Sequence, residues 1–266
     1  MSLPLDFFGR ILYILKNYGP SLLGGAGKTM AIAIVGTLIG CIIGFAVGIV
    51  QTIPVTPNDN PAKRFLIHIL KIILNIYVEV FRGTPMMVQA MFIFYGSSAL
   101  LGINMSSTFA AYFIVSINTG AYMAETVRGG ILSIDPGQTE GAKAIGMTHY
   151  QTMVNVIMPQ ALRNIMPQIG NNLIINIKDT CVLSVIGVVE LFYTTKGVAG
   201  AYYTYFEAFS ITMVLYFVLT FTSSRILRYW ENRMDGPDSY DLATTDTLAY
   251  TSGMVKFPEP KEKEGK

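Results

Sequence analysis

MAIAIVGTLIGCIIGFAVGIV, Met30–Val50, runs for 21 residues without Asp, Glu, Lys, Arg or His. A helix needs about 20 mainly apolar residues to cross a hydrocarbon layer about 30 Å thick, so this stretch is long enough to span a bilayer. Within it Gly36, Gly40, Gly44 and Gly48 recur at every fourth position. That spacing puts all four on one helix face, where a second backbone can approach closely. The rest of the 266 residues agrees with a membrane chain. The whole chain is 52% hydrophobic and 14% charged, against roughly 25% charged in ordinary soluble domains.

Working outward, the sequence predicts an all-α integral membrane protein with about five transmembrane helices. The first covers Thr29–Thr52. The second covers Pro85–Leu101, entered through a helical stretch from Phe65, and the third Thr108–Val127. The fourth runs from Gln168 to Phe192 although Lys178-Asp179 falls inside it, and the fifth covers Phe206–Ile226. Before them, Phe8, Ile11, Leu12, Leu15 and Tyr18 recur at helical spacing, the pattern of an amphipathic helix lying in the membrane interface over residues 1–20. The membrane domain then occupies 21–234. From Asp235 the chain turns polar and loses apolar periodicity, so 235–266 reads as a disordered tail.

Lys and Arg set the orientation. With the loop between the third and fourth spans in the cytoplasm, that side holds Lys63, Arg64, Lys71, Arg128, Lys143, Arg163, Arg225, Arg228 and Arg233. The other side holds Arg10, Lys16, Lys28 and Lys196. The imbalance places the N-terminus outside and the C-terminus in the cytoplasm. A net charge of +2 does not point to nucleic acid.

That loop, 135–160, is too polar to span and too patterned to be a passive linker. Asp135 precedes Pro136, with Gln138 at the third helical position, a capping-box arrangement with proline where its missing N–H costs nothing. The helix it starts should end near Gly146. Thr148 and Gln151 repeat the box and start a second short helix, expected to stop at Pro159. From these residues alone the protrusion is equally a docking element or an ordered loop.

The segment EGAKAIGMTHYQTMVNVIMPQAL, Glu140–Leu162, resembles the signature loop of bacterial binding-protein-dependent ABC importer permeases: Glu-Ala-Ala, three residues, Gly, nine residues, Ile, one residue, Leu-Pro. Glu140, Ala142, Gly146 and Pro159 match in register, while Gly141, Val156 and Met158 depart conservatively. YVEVFRGTPMMVQAMFIFYG (Tyr77–Gly96) and KDTCVLSVIGVVEL (Lys178–Leu191) are similar to the polar amino-acid branch of that family. The resemblance implies that the loop is a coupling helix contacting a separate ATPase chain through Glu140, Gly141, Ala142, Ala144 and Gly146. Glu140 either pairs with the ATPase or caps its own helix. It further implies that this chain lies in the bacterial inner membrane, with a second permease subunit, identical or related, and an extracytoplasmic solute-binding protein as partners. The solute is a polar amino acid, and ATP and Mg stay on the partner ATPase; this chain binds no cofactor.

No catalytic or metal site is expected. Gly24-Gly25-Ala26-Gly27-Lys28-Thr29 imitates a phosphate-binding loop, but the motif needs a glycine where Leu22 stands. His68 and His149 lie far apart, and Cys41 and Cys181 sit in apolar runs as packing residues. Ionisable groups at membrane depth are more telling, since each costs roughly 2.5–3.5 kcal/mol at a helix centre. Glu79 and Arg82, like Glu125 and Arg128, stand three apart and can pair on one face. Arg82 before Gly83-Thr84-Pro85 also fits a helix break that offers backbone groups to a ligand. Glu190 either sits at the external interface or accepts a cationic group of the solute. Gln89, Asn118 and Asn172 either line the pathway or make interhelical hydrogen bonds.

Overall fold

The computed structural model describes residues 4, 6–55 and 60–235. Helices α1 (Phe7–Thr52), α2 (Pro61–Gly83), α3 (Met86–Leu101), α4 (Ser107–Leu132), α5 (Pro136–Ala144) and α6 (His149–Thr152) come first. A π turn at Met153–Ile157 leads into α7 (Met158–Asp179), and a 3-10 turn at Thr180–Ile186 follows. Helices α8 (Leu191–Tyr202) and α9 (Tyr205–Asp235) complete the order. There is no strand among the described residues.

Asp6 caps α1 by accepting from the Gly9 amide at 2.7 Å. The helix then continues for 46 residues, about 69 Å at 1.5 Å per residue. The interfacial helix expected over 1–20 is therefore continuous with the helix that holds the first span and not a separate element. Pro20 lies inside it without ending it. Ile14 on one side of the proline and Leu22 and Ala26 on the other pack against Leu191, Val198 and Ala208. Those tertiary contacts hold the helix through a residue that disfavours it.

The glycine stripe meets α4. A Cβ added at Gly36, Gly40, Gly44 or Gly48 would come under 3.0 Å from Val115, Thr119, Met123 or Val127 respectively. The partners also advance by four, in the same chain direction, so α1 and α4 run parallel with i±4 rows interlocked. Around the first half of α4 the core joins Ile32, Ala90, Ala110, Ile114, Leu183 and Ile186. Around its second half it joins Met123, Val127, Ile157, Ala161 and Ile165.

Two described helices, α1 and α9, are each long and apolar enough to cross a membrane. The second expected crossing, Pro85–Leu101, coincides with the short apolar α3, and a break at Thr84-Pro85 separates it from α2. The fourth is bent by 56° between the helical stretch His149–Ile186 and α8. Lys178-Asp179 stands where α7 ends and tightens into the 3-10 turn. Pro159 does not stop the preceding helix. The wider π turn just before it absorbs the missing N–H and the ring, and α7 continues past both Pro159 and Pro167. Of the 235–266 tail only Asp235, the last residue of α9, is described; 236–266 lie outside the described residues.

Candidate functional site

Helix α2 is strongly amphipathic. Arg64, His68, Lys71, Asn75, Glu79 and Arg82 recur in steps of three or four along one face, while Phe65, Leu66, Ile69, Ile72, Ile73 and Ile76 are exposed along the rest. Where the polar face meets α4 and the end of α1 there is a cavity of about 340 Å³, lined by Gln51, Lys71, Asn75, Val78, Glu79, Glu125 and Arg128. Its charged groups carry both signs.

Glu79 lines that cavity, but it is not the partner of Arg82. The Arg82 guanidinium lies over the Tyr122 ring, 5.9 Å from its centroid, and 3.8 Å from Glu125. The aromatic face steers the cation toward α4 and away from its own helix. Glu125 also takes two hydrogen bonds from Arg128, at 2.5 and 3.3 Å, the pairing their spacing predicts. One carboxylate is therefore shared by two guanidinium groups from two helices. At the end of α1, Gln51 donates to Asn75 at 2.9 Å and Lys71 donates to the Ile53 carbonyl at 2.7 Å. The Gln51 Oε1 is buried without a protein donor, a cost of about 1–3 kcal/mol unless a donor reaches it from the cavity.

Gln89 and Asn118 lie beside the other end of this track, at the break between α2 and α3. The Gln89 amide donates to the Phe81 carbonyl (2.9 Å) and to the Thr84 carbonyl and hydroxyl (2.8 and 2.9 Å). Asn118 donates to Gln89 at 2.9 Å and to Phe81 at 3.3 Å. A helix end leaves carbonyls without partners, and these two buried amides take them up. They brace the break that Pro85 imposes.

Asn172 stays apart from the cavity, donating to the Gln168 carbonyl at 2.9 Å and contacting the Met123 sulfur at 3.4 Å. Its neighbour one turn on, Asn176, is the polar residue that sequence reading overlooks. It is buried and donates to Thr37 (2.8 Å) and Thr119 (2.9 Å), tying α7 to α1 and α4. The four-residue step from Asn172 and the placement of both threonines beside the glycine register were the available signals.

Glu190 is fully buried and is the N-cap of α8. It accepts from the amides of Phe192 and Tyr193 at 2.9 and 2.7 Å, and from the hydroxyls of Thr29 and Tyr216 at 3.2 and 3.1 Å. In this conformation both oxygens are engaged by the chain itself, and α1, α8 and α9 are joined there.

Outside the bundle, Glu140, Gly141, Ala144 and Gly146 are exposed and Ala142 is buried. Asp135 caps α5 through the Gly137 amide at 2.7 Å, but the Gln138 side chain faces Gln160 at 3.5 Å instead of closing the first box. The second box, Thr148 with Gln151, forms in both directions. Gly146 adopts φ 84°. Its amide and that of Met147 bond the Lys143 and Ala142 carbonyls, each at 3.0 Å, which is the Schellman closure of a helix end. Among the described residues no group of three or more His, Cys, Asp or Glu is arranged to hold a metal ion.

Residues 64–236 match the family of binding-protein-dependent transport system inner membrane components. The chain belongs to this family. It is 36% identical over 216 residues to the glutamine transport system permease protein GlnP of Escherichia coli strain K12, covering 81% of this chain and 93% of that one. It is 32% identical over 234 residues to the arginine transport system permease protein ArtQ of Bacillus subtilis strain 168, covering 88% and 99%. A solved amino acid ABC transporter with histidines superposes with a TM-score of 0.74 at 34% identity, covering 86% of this chain and 99% of the other. An inward-facing MetNI methionine ABC transporter shares the fold, with a TM-score of 0.59 at 21% identity over 78% of this chain. The family's members are inner-membrane components, so the apolar exposed faces of α1, α2 and α9 belong against lipid or a neighbouring chain.

Proposed function

We propose that this chain is the membrane-spanning permease subunit of an ABC importer and that it carries a polar amino acid. Family membership and the likeness to the glutamine and arginine transport permeases GlnP and ArtQ support the transport role. The observation that supports the solute class is the cavity between α1, α2 and α4, where Glu79, Glu125, Lys71 and Arg128 surround two side-chain amides. An amino acid brings an ammonium and a carboxylate, and a site holding both signs within one cavity can meet each with its opposite. Gln89 and Asn118 hold the α2–α3 break at the other end of the α2 polar face. Glu190 and Asn172 support the bundle in this reading.

The chain performs no hydrolysis. ATP and Mg belong to a partner ATPase, which the exposed α5–α6 loop meets through Glu140, Gly141, Ala144 and Gly146, with Ala142 packed beneath. A second permease subunit and an external binding protein complete the assembly, with the N-terminus outside and the C-terminus in the cytoplasm. Reconstituting the complex with its binding protein and measuring ATP hydrolysis against a panel of amino acids tests the reading. Stimulation by glutamine, arginine or histidine, lowered about tenfold or more by Glu125→Gln, is the expected result; stimulation by none of twenty amino acids would sink it.

A further inference from the structure

The two ends of α4 calibrate depth. Arg128 and Lys71 line one cavity, and Arg128 stands 21 residues after the helix start at Ser107. At 1.5 Å per residue this is about 32 Å, close to the roughly 30 Å of a hydrocarbon layer. With Ser107–Arg128 taken as one crossing, Lys71 falls at a membrane face and the turns of α2 before it, Pro61–Leu70, at headgroup level. These turns carry a second cavity of about 460 Å³, lined by Val55, Pro61, Arg64, Phe65, His68 and Lys71. Arg64, His68 and Lys71 stand four and three apart on one helix face and converge on it. Lys71 spends one N–H on the Ile53 carbonyl, leaving two. Immediately beside this basic lining, Phe65 and Leu66 are 68% and 67% exposed, and Ile69, Ile72 and Ile73 continue the apolar surface toward the bilayer centre.

We propose that this second cavity binds the phosphodiester headgroup of an anionic glycerophospholipid, with Arg64, His68 and Lys71 holding the phosphate and the apolar flank of α2 holding the acyl chains. The arrangement answers both halves of one amphiphile: a basic pocket at headgroup depth and an apolar wall running inward from it. A free phosphate would satisfy the first half only and leave the wall unused. The inference rests on reading the chain as a membrane protein, but not on which side faces the cytoplasm or on which solute is carried.

The test uses the full transporter complex in nanodiscs of phosphatidylglycerol and phosphatidylcholine in equal amounts, with retained lipid counted by native mass spectrometry. Phosphatidylglycerol should be enriched over phosphatidylcholine. Arg64→Gln should lower that enrichment roughly fivefold, as expected for one basic group near a charged headgroup, and Arg64→Gln with His68→Gln should lower it further. Arg64→Lys should keep most of it, and Arg163→Gln, a basic residue outside the cavity, should leave it unchanged. Equal retention of both lipids, an unchanged Arg64→Gln variant, or an equal loss in Arg163→Gln would overturn the site. So would inorganic phosphate raising the thermal stability of the detergent-purified complex as much as phosphatidylglycerol does. Amino-acid stimulation of hydrolysis, recorded on the same samples, separates failure of this site from failure of the transport reading.

Discussion

Arg82 on α2 and Glu125 on α4 lie 3.8 Å apart and join the two helices that flank the polar cavity. Their side chains are 40% and 35% exposed, so solvent screens the pair and its contribution to stability is about 0–1 kcal/mol. Its role is to fix charge in the cavity. Glu125→Gln is expected to leave the thermal midpoint nearly unchanged while lowering transport about tenfold or more, since hydrogen bonds to charged groups are worth about 1.5–3 kcal/mol. Arg82→Glu with Glu125→Arg should recover part of the loss if the pair matters, and none if Glu125 acts only through Arg128. Uptake of radiolabelled amino acid into proteoliposomes distinguishes these outcomes.

The contact of α1 with α4 predicts a sharp contrast between glycines of one helix. An added methyl at Gly44 would collide with the Met123 and Ala124 backbone, whereas at Gly24 or Gly27 it would meet nothing within 4 Å. Gly44→Ala should therefore destabilise by about 1–3 kcal/mol through overpacking. Gly27→Ala should be neutral or slightly stabilising, since alanine is the better helix former by up to about 1 kcal/mol. Thermal unfolding of the purified variants in one detergent reads both, and equal midpoints would refute the close α1–α4 approach.

This contrast also marks how far the sequence could be read. Four glycines at one spacing announce a face, and the structure supplies the partner. The reach of a side chain across helices is what local spacing does not contain. Glu79 and Arg82 are well placed to pair on an isolated helix, yet Tyr122 and Glu125, 40 and 43 positions after Arg82, take the arginine. Asn176 is marked by its four-residue step from Asn172, but what it holds is not, because both of its threonine partners are distant in sequence. Pro159 misled in the opposite direction: a proline reads as a stop, and only the π turn before it shows how the helix passes.

Glu190 gives a test of its own. As the cap of α8 with four donors around it, it should be costly to truncate. Glu190→Ala removes an N-cap worth about 0.5–2 kcal/mol and strands buried donors at about 1–3 kcal/mol. The expected outcome is poor yield or a thermal midpoint several degrees lower. Glu190→Gln keeps an acceptor oxygen and should fold with a smaller loss. In that variant the ranking of amino acids by stimulated hydrolysis should match the parent. A changed ranking would return Glu190 to the solute pathway.

The loop outside the bundle gives the last expectation. Gly146 holds φ 84° to close α5, and a Cβ there would meet no neighbouring atom within 4 Å. A substitution is thus opposed by backbone conformation and not by crowding, at about 1–2 kcal/mol for an L-residue. That is too little to unfold a bundle whose core lies elsewhere, but enough to shift the angle between α5 and α6. Gly146→Val should therefore leave the chain in the membrane with a nearly unchanged midpoint, while hydrolysis loses its dependence on amino acid and binding protein. Gly27→Ala is the control, since Gly27 lies in α1 away from the loop with open space around it, and it should keep coupling intact. Coupled transport by Gly146→Val equal to that of Gly27→Ala would mean that the turn does not transmit the movement.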